Sequence, residues 1–286
     1  MQLNNHIIAQ TMGKYKRESP RKDLVKYERN LAEYPFFYPG RGKTPTKMEH
    51  TFKIKDKNGE EIGEGSITVK NGGGIPGPLE QDLTFVFSKL FEEQGYPERV
   101  KFTTYKIAKE IKRSQGGRTR KQIREGVRTI KETNCILKGI GHGPMVSAEI
   151  GFNIIDNYSF YDYKDDLKKG IPYTAAKEVN FIRFSNVMRE AIIRNHWKLM
   201  DSKIYFSLPS GLPRTLYLYL EKKGLWKKHL YSEKIESLAN HLGLDMGQEF
   251  HRLRETIDKV IGVLEEAKVI SCGRDKDKRI FSPYKK

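Results

Sequence analysis

The same amphipathic pattern occurs twice in the chain, and this duplication constrains the fold more than any other feature. Leu90 falls in register with Leu220 at an offset of 130, IAKEI (107–111) with LANHL (238–242) at 131, and IREGVRTI (123–130) with LRETIDKV (253–260) at 130. One amphipathic helix resembles any other. Three elements in one order at one spacing indicate a supersecondary unit used twice.

In the first copy, Leu83, Val86, Phe87, Leu90 and Phe91 share a helical face. A short strand, Arg99–Phe102, follows Pro97. Residues 103–112 suit a helix capped by Thr103 or Thr104, with Ile107, Ala108 and Ile111 inward. SQGGR (114–118) is a turn, and 118–132 a second helix with Ile123, Val127 and Ile130 inward. NCILKG and EIGFNII read as strands around the turn GIGHGP (139–144). In the second copy the expected helices are Pro213–Lys223, Ser232–Leu242 and Gly247–Ala267. Asp245 caps the last, whose Phe250, Leu253, Ile257, Val260, Ile261 and Leu264 form one stripe. Val269–Cys272 and Arg279–Ser282 flank the charged turn GRDKDKR (273–279).

Helix, strand, helix, turn, helix and paired strands is the order of a winged helix-turn-helix, whose last helix offers its polar face to a DNA groove. The expected fold class is therefore α+β: tandem winged helix-turn-helix domains with an N-terminal extension and a β-hairpin. Residues 1–29 read as a flexible basic arm holding at most one short helix near Leu24 and Val25. An N-terminal winged-helix domain spans 30–160, tied down by LAEYPFFY (31–38). It carries a hairpin insertion at 51–69, where TFKIK and ITV alternate around Asn58-Gly59. Residues 161–210 read as a linker with a linking helix. Residues 211–286 form the C-terminal winged-helix domain.

Charge indicates what such units would bind. Lys and Arg number 53 against 36 Asp and Glu, a net charge of +17, which favours a polyanion. The excess is local: eleven basic and three acidic residues lie between Lys101 and Asn134. Arg118, Arg120, Lys121, Arg124 and Arg128, with Thr119 among them, are the candidate duplex-DNA contacts of the helix over 118–132. Arginine binds phosphate, or guanine in bidentate fashion. A solvated basic face is the alternative for such a run, but this one falls on the groove-facing helix. The matching helix of the second copy exposes Gln248, His251, Arg252, Arg254, Glu255 and Lys259. It is less basic and more varied, which suits sequence readout, while the first helix suits phosphate affinity. Arg274, Lys276, Lys278 and Arg279 in the last turn suit a minor-groove or backbone contact, or form a lysine-rich surface hairpin.

Other chemistry lacks its residues. No run of 18 apolar residues exists to span a membrane, and the N-terminus is no secretory signal. Cys135 and Cys272 give neither a disulfide framework nor a zinc cage, and read as small core residues. GRGKT (40–44) resembles the end of a Walker A loop, but Phe37 stands where its first glycine belongs. GIGHGP lacks the spacing of a dinucleotide loop. Asp156, Asp162, Asp165 and Asp166 could hold Mg²⁺ for a nuclease, yet YSFYDYKDDLKK reads as a solvated loop. The expectation is no catalytic residue, no cofactor and no metal.

Four segments carry a family resemblance: NLAEYPFF (30–37), LTFVFSKLFEEQGYPERVKFTTYKIAKEI (83–111), GGRTRKQIREGVRTIKETNCI (116–136) and LPRTLYLYLEKK (212–223). Together the chain resembles RepA-type replication initiators of theta-replicating plasmids over most of residues 30–270. The resemblance implies two winged-helix domains that bind direct repeats (iterons) at a plasmid origin. It implies opening of an AT-rich stretch and recruitment of host replication proteins such as the initiator and helicase. It implies a C-terminal domain that is the principal iteron reader and an N-terminal one that adds DNA contact and dimerisation, with dimers in the repressor form and monomers on repeats. The expected location is the bacterial cytoplasm, on plasmid or nucleoid, with no membrane partner. A winged-helix transcriptional regulator is the alternative reading, and a metal-dependent nuclease a further one.

Overall fold

The structure, a computed structural model, describes residues 23–40, 44–55, 61–139, 149–161, 168–170, 172 and 179–284. Strand β1 (Leu24–Glu28) alternates so that Val25 and Tyr27 are buried, and it pairs antiparallel with the strand Trp197–Asp201. The end of the expected flexible arm is therefore a core strand. Two buried apolar side chains and a ladder partner remote in sequence overcome its basic composition. Residues 1–22 of that arm lie outside the described residues.

Helix α1 (Arg29–Glu33) leads to β2 (Lys47–Lys55) and β3 (Glu61–Lys70), an antiparallel hairpin longer than the expected 51–69. Its Asn58-Gly59 turn lies outside the described residues. Helix α2 (Pro78–Glu93) opens on Pro78, whose missing N–H costs nothing at a helix start, and the Gly77 N–H donates to the Glu80 carboxylate at 2.7 Å. Leu83, Phe85, Val86, Phe87, Leu90 and Phe91 are all buried. A helix apolar over so much of its circumference is central rather than peripheral.

Next come β4 (Val100–Lys101), α3 (Thr104–Glu110), α4 (Gly117–Glu132), β5 (Asn134–Lys138) and β6 (Glu149–Phe152). Thr103 caps α3, its hydroxyl accepting from the Lys106 N–H at 3.1 Å. Strand β5 pairs with both β6 and β3, giving the sheet order β2-β3-β5-β6. The hairpin is thus half of this sheet, not an insertion. Strands β7 (Ile155–Ser159) and β8 (Phe181–Phe184) form a second sheet with β4, in the order β4-β8-β7. Helix α5 (Asn186–Ile193), strand β9 (Trp197–Asp201) and helix α6 (Ser202–Ser207) complete the first unit. The expected linker holds its helix, but β8 and β9 pair with β4 and β1.

The second unit runs α7 (Leu212–Lys223), α8 (Leu225–Lys228), β10 (Tyr231–Lys234), α9 (Ile235–His241), α10 (Phe250–Glu266), β11 (Ile270–Asp275) and β12 (Lys278–Pro283). Ser232 does not open a helix as expected. Residues 231–234 are extended because β12 lies between β10 and β11 and pairs with both. Helix α10 starts three residues later than expected: Asp245 accepts from the Gly247 N–H at 2.9 Å and shapes the turn before the helix.

The sequence repeat is realised in packing. Ile123 and Leu253, Val127 and Ile257, Ile130 and Val260, Ile107 and Leu238, and Ile111 and Leu242 are all buried. The helix spacing recurs and the sheets do not, since β10 joins the strand pair that follows α10, whereas β4 pairs with β8 and not with β5 or β6. The two units are also bound to each other. Asp82 on α2 lies 2.6 Å from Arg214 on α7 and accepts from the hydroxyls of Tyr205 at 2.9 Å and Ser210 at 3.0 Å. Glu33 pairs with Lys222 and Lys223, and His50 on β2 meets Asn240 on α9 at 2.8 Å.

Candidate nucleic-acid interface

Helix α4 carries six Lys and Arg against two Glu. Ile123, Val127 and Ile130 anchor it in the core, so its polar face is fixed toward solvent. Gly126 permits the close crossing with α2, because a Cβ there would lie 2.7 Å from Leu83 Cδ1. Arg118, Arg120, Lys121 and Arg128 are exposed on the outer face. Lys121 is within 3.7 Å of Glu125, a solvent-screened pair.

Two of the expected α4 contacts are otherwise placed. Thr119 is buried, at 4% exposure, and its hydroxyl lies 3.4 Å from that of Ser114. It closes the turn before α4 and does not reach a ligand. Arg124 is half-buried: it donates to the Tyr161 carbonyl, and its guanidinium lies 5.3 Å from the Phe160 ring. Arg128 is hydrogen-bonded to the Tyr158 hydroxyl, which raises the guanidinium pKa further. The end of β7 and the residues after it thus pack on the middle of the α4 basic face. The N-terminal turns, with Arg118, Arg120 and Lys121, are its open part.

Helix α10 is different in kind. It carries three Lys and Arg against four acids. Arg252, Arg254, His251 and Lys259 are exposed, as is Gln248 in the preceding turn. Lys259 pairs with Glu255 at 2.9 Å, and Arg254 approaches Asp258 at 3.9 Å. In the β11–β12 turn, Lys276 and Lys278 are exposed, and Arg274 reaches Glu265 at 3.0 Å.

Arg279 is not a surface cation. It is 0% exposed, with Nε 2.7 Å and Nη2 2.9 Å from the two Asp258 carboxylate oxygens, and it donates to the Lys278 carbonyl at 2.7 Å. These hydrogen bonds hold the Asp258 carboxyl below the usual aspartate range. Arg279 clamps the strand pair to α10. Phe250 is also misplaced by the periodicity: it is 41% exposed and not in the buried stripe. The repeat register carried the missed signal, because Phe250 falls opposite exposed Arg120.

Neither cysteine is poised for chemistry. Burial pushes the Cys135 thiol up to about 12 and the half-buried Cys272 thiol up to about 11. Asp156 is exposed, while Asp162, Asp165, Asp166 and most of GRGKT lie outside the described residues. Among the described residues, no group of three or more His, Cys, Asp or Glu could hold a metal ion. No helix there is long and apolar enough to cross a membrane.

Comparison with known proteins adds to this picture. Two solved structures of RctB share the fold. One, a selenomethionine derivative of its domains 2 and 3, has a TM-score of 0.61 at 13% identity, covering 90% of this chain and 99% of that one. The other, of the same domains, has a TM-score of 0.55 at 12% identity, covering 89% and 96%. A search of curated proteins returns no match. The family model described as replication initiator protein A matches residues 26–263, from β1 through most of α10. The chain belongs to the replication initiator protein A family.

Proposed function

We propose that the protein is a sequence-specific, double-stranded-DNA-binding initiator that binds iterons at a plasmid origin through two winged-helix units. The observation that carries this reading is the duplicated helix pair. In each copy, a helix anchored by the same three apolar positions presents exposed polar residues at its N-terminal end. Arg118, Arg120 and Lys121 supply phosphate affinity, whose strength falls with salt. Gln248 and Arg252 at the start of α10 supply base readout, since glutamine pairs with adenine and arginine with guanine. Lys276 and Lys278 contact the backbone.

The function needs no covalent step. Several copies on adjacent repeats strain the duplex, and its most deformable steps open first. Host initiator and helicase then load on the opened stretch. A dimer of the protein represses its own promoter, and the monomer acts on repeats. The protein works in the cytoplasm, on the plasmid.

A gel-shift series compares the plasmid's origin repeats with a random duplex at several salt concentrations. The expected result is much tighter binding to the repeats, with both affinities falling as salt rises. Equal affinity for both duplexes refutes the initiator reading.

A further inference from the structure

The first residue of α10 and the turn before it keep large apolar side chains in solvent at the end that a groove-facing helix presents to base edges. Met246 is 43% exposed and Phe250 41%. Packing of the helix does not require a ring there, because Leu253, Ile257, Val260, Ile261 and Leu264 bury it. At the repeat offset of 130, Phe250 occupies the place of Arg120, and Gln248 that of Arg118. One unit offers a cation where the other offers a ring.

The surroundings of that ring disfavour a phosphate. Lys234, Glu236 and Asp277 line a shallow depression with Phe250. At the helix N-cap, Glu249 faces both His251 and Arg252, at 3.4 and 3.9 Å. Two carboxylates against one lysine in the depression disfavour a phosphate oxygen beside the ring. A base edge suits the site better. The thymine C5 methyl is the apolar feature of the major groove, and covering it with a ring removes apolar surface of both from water.

We propose that Phe250, supported by Met246, is a specificity-determining residue that packs on a thymine methyl in the major groove. This rests on the reading of α10 as a DNA-facing helix. The test uses the full chain and the consensus duplex that it selects from a randomised duplex library, with a random duplex as reference. Each thymine is replaced in turn by deoxyuridine, which lacks the methyl.

Wild type should lose roughly five- to tenfold in affinity at one or two thymines. Phe250→Ala should lose about as much on the unmodified duplex and nothing further at those thymines. Its salt slope and its binding to random duplex should match wild type. Phe250→Leu, which keeps an apolar contact, should retain most of the affinity, and both variants should melt as wild type does. The inference is overturned if deoxyuridine is tolerated everywhere, if the two losses add, or if Phe250→Ala weakens both duplexes equally. If the library yields no consensus, the reading of α10 as a base reader falls, and this inference with it.

Discussion

Asp258→Ala should destabilise the second unit more than replacing Asp258 and Arg279 together. Arg279 is 0% exposed and meets the Asp258 carboxylate in a two-pronged contact at 2.7 and 2.9 Å. Removing the carboxylate leaves a buried guanidinium held by backbone carbonyls. Breaking a buried pair from one side costs about 3–5 kcal/mol. The Asp258 side chain is 27% exposed, so solvent softens the loss, and about 3 kcal/mol is expected. Arg279→Met keeps much of the volume. It leaves a carboxylate that water and Arg274, 3.8 Å away, still reach. Its cost is about 1–2 kcal/mol. Thermal unfolding followed by circular dichroism reads this out. At roughly 2–4 °C per kcal/mol, Asp258→Ala should lower the melting temperature by roughly 6–12 °C, and adding Arg279→Met should restore part of it. Arg279→Met should leave the salt dependence of DNA binding unchanged. The reasoning is refuted if Arg279→Met melts as wild type and its log–log salt slope falls by about one unit. Arg279 would then be a phosphate contact.

The same pair sets a pH dependence. The folded Asp258 carboxyl lies below its ordinary 3.8, so its stabilisation is present above that pH and is lost as pH falls through the folded value; Asp258→Asn should flatten this acid limb in denaturation against pH. Gly126→Ala must displace Leu83 and should cost about 1–3 kcal/mol. Gly262→Ala meets nothing within 4 Å and should stabilise by about 1 kcal/mol; urea unfolding of the two compares them directly. Arg118→Ala and Arg120→Ala should each weaken binding to any duplex and reduce the salt slope by about 0.9, whereas Arg124→Ala, already engaged by Tyr161 and Phe160, should change it less. Asp82→Ala strands Arg214 in the contact between the units and should cost about 3–5 kcal/mol in thermal unfolding.

What the sequence disclosed is what is local. The positions of Ile123, Val127 and Ile130, and of their counterparts, repeat every three or four residues, and all are buried. Thr103 marks a helix start through chemistry confined to one turn. What it hid depends on distant partners. LVKYE (24–28) reads as a basic tail until Trp197–Asp201 lies beside it. Ser232–Lys234 has helix-cap chemistry but takes strand geometry from β12. At the interface, charge alone cannot distinguish a DNA-facing arginine from a buried one. Arg279 is set apart by Asp258, 21 residues away, and Arg124 by the stretch after β7. Thr119 is buried by its place in the tight turn into α4, and Phe250 is exposed because α10 begins at it.

The central claim is that α4 and α10 are the two surfaces laid on duplex DNA. Photo-cross-linking of the full chain to an origin duplex carrying iodouracil, followed by identification of the linked peptides, tests it most directly. The account predicts links within residues 118–128 and 248–259, with a smaller yield at the 276–278 turn. Links confined to α5, β9 or α6, with both helices unlabelled, would contradict it.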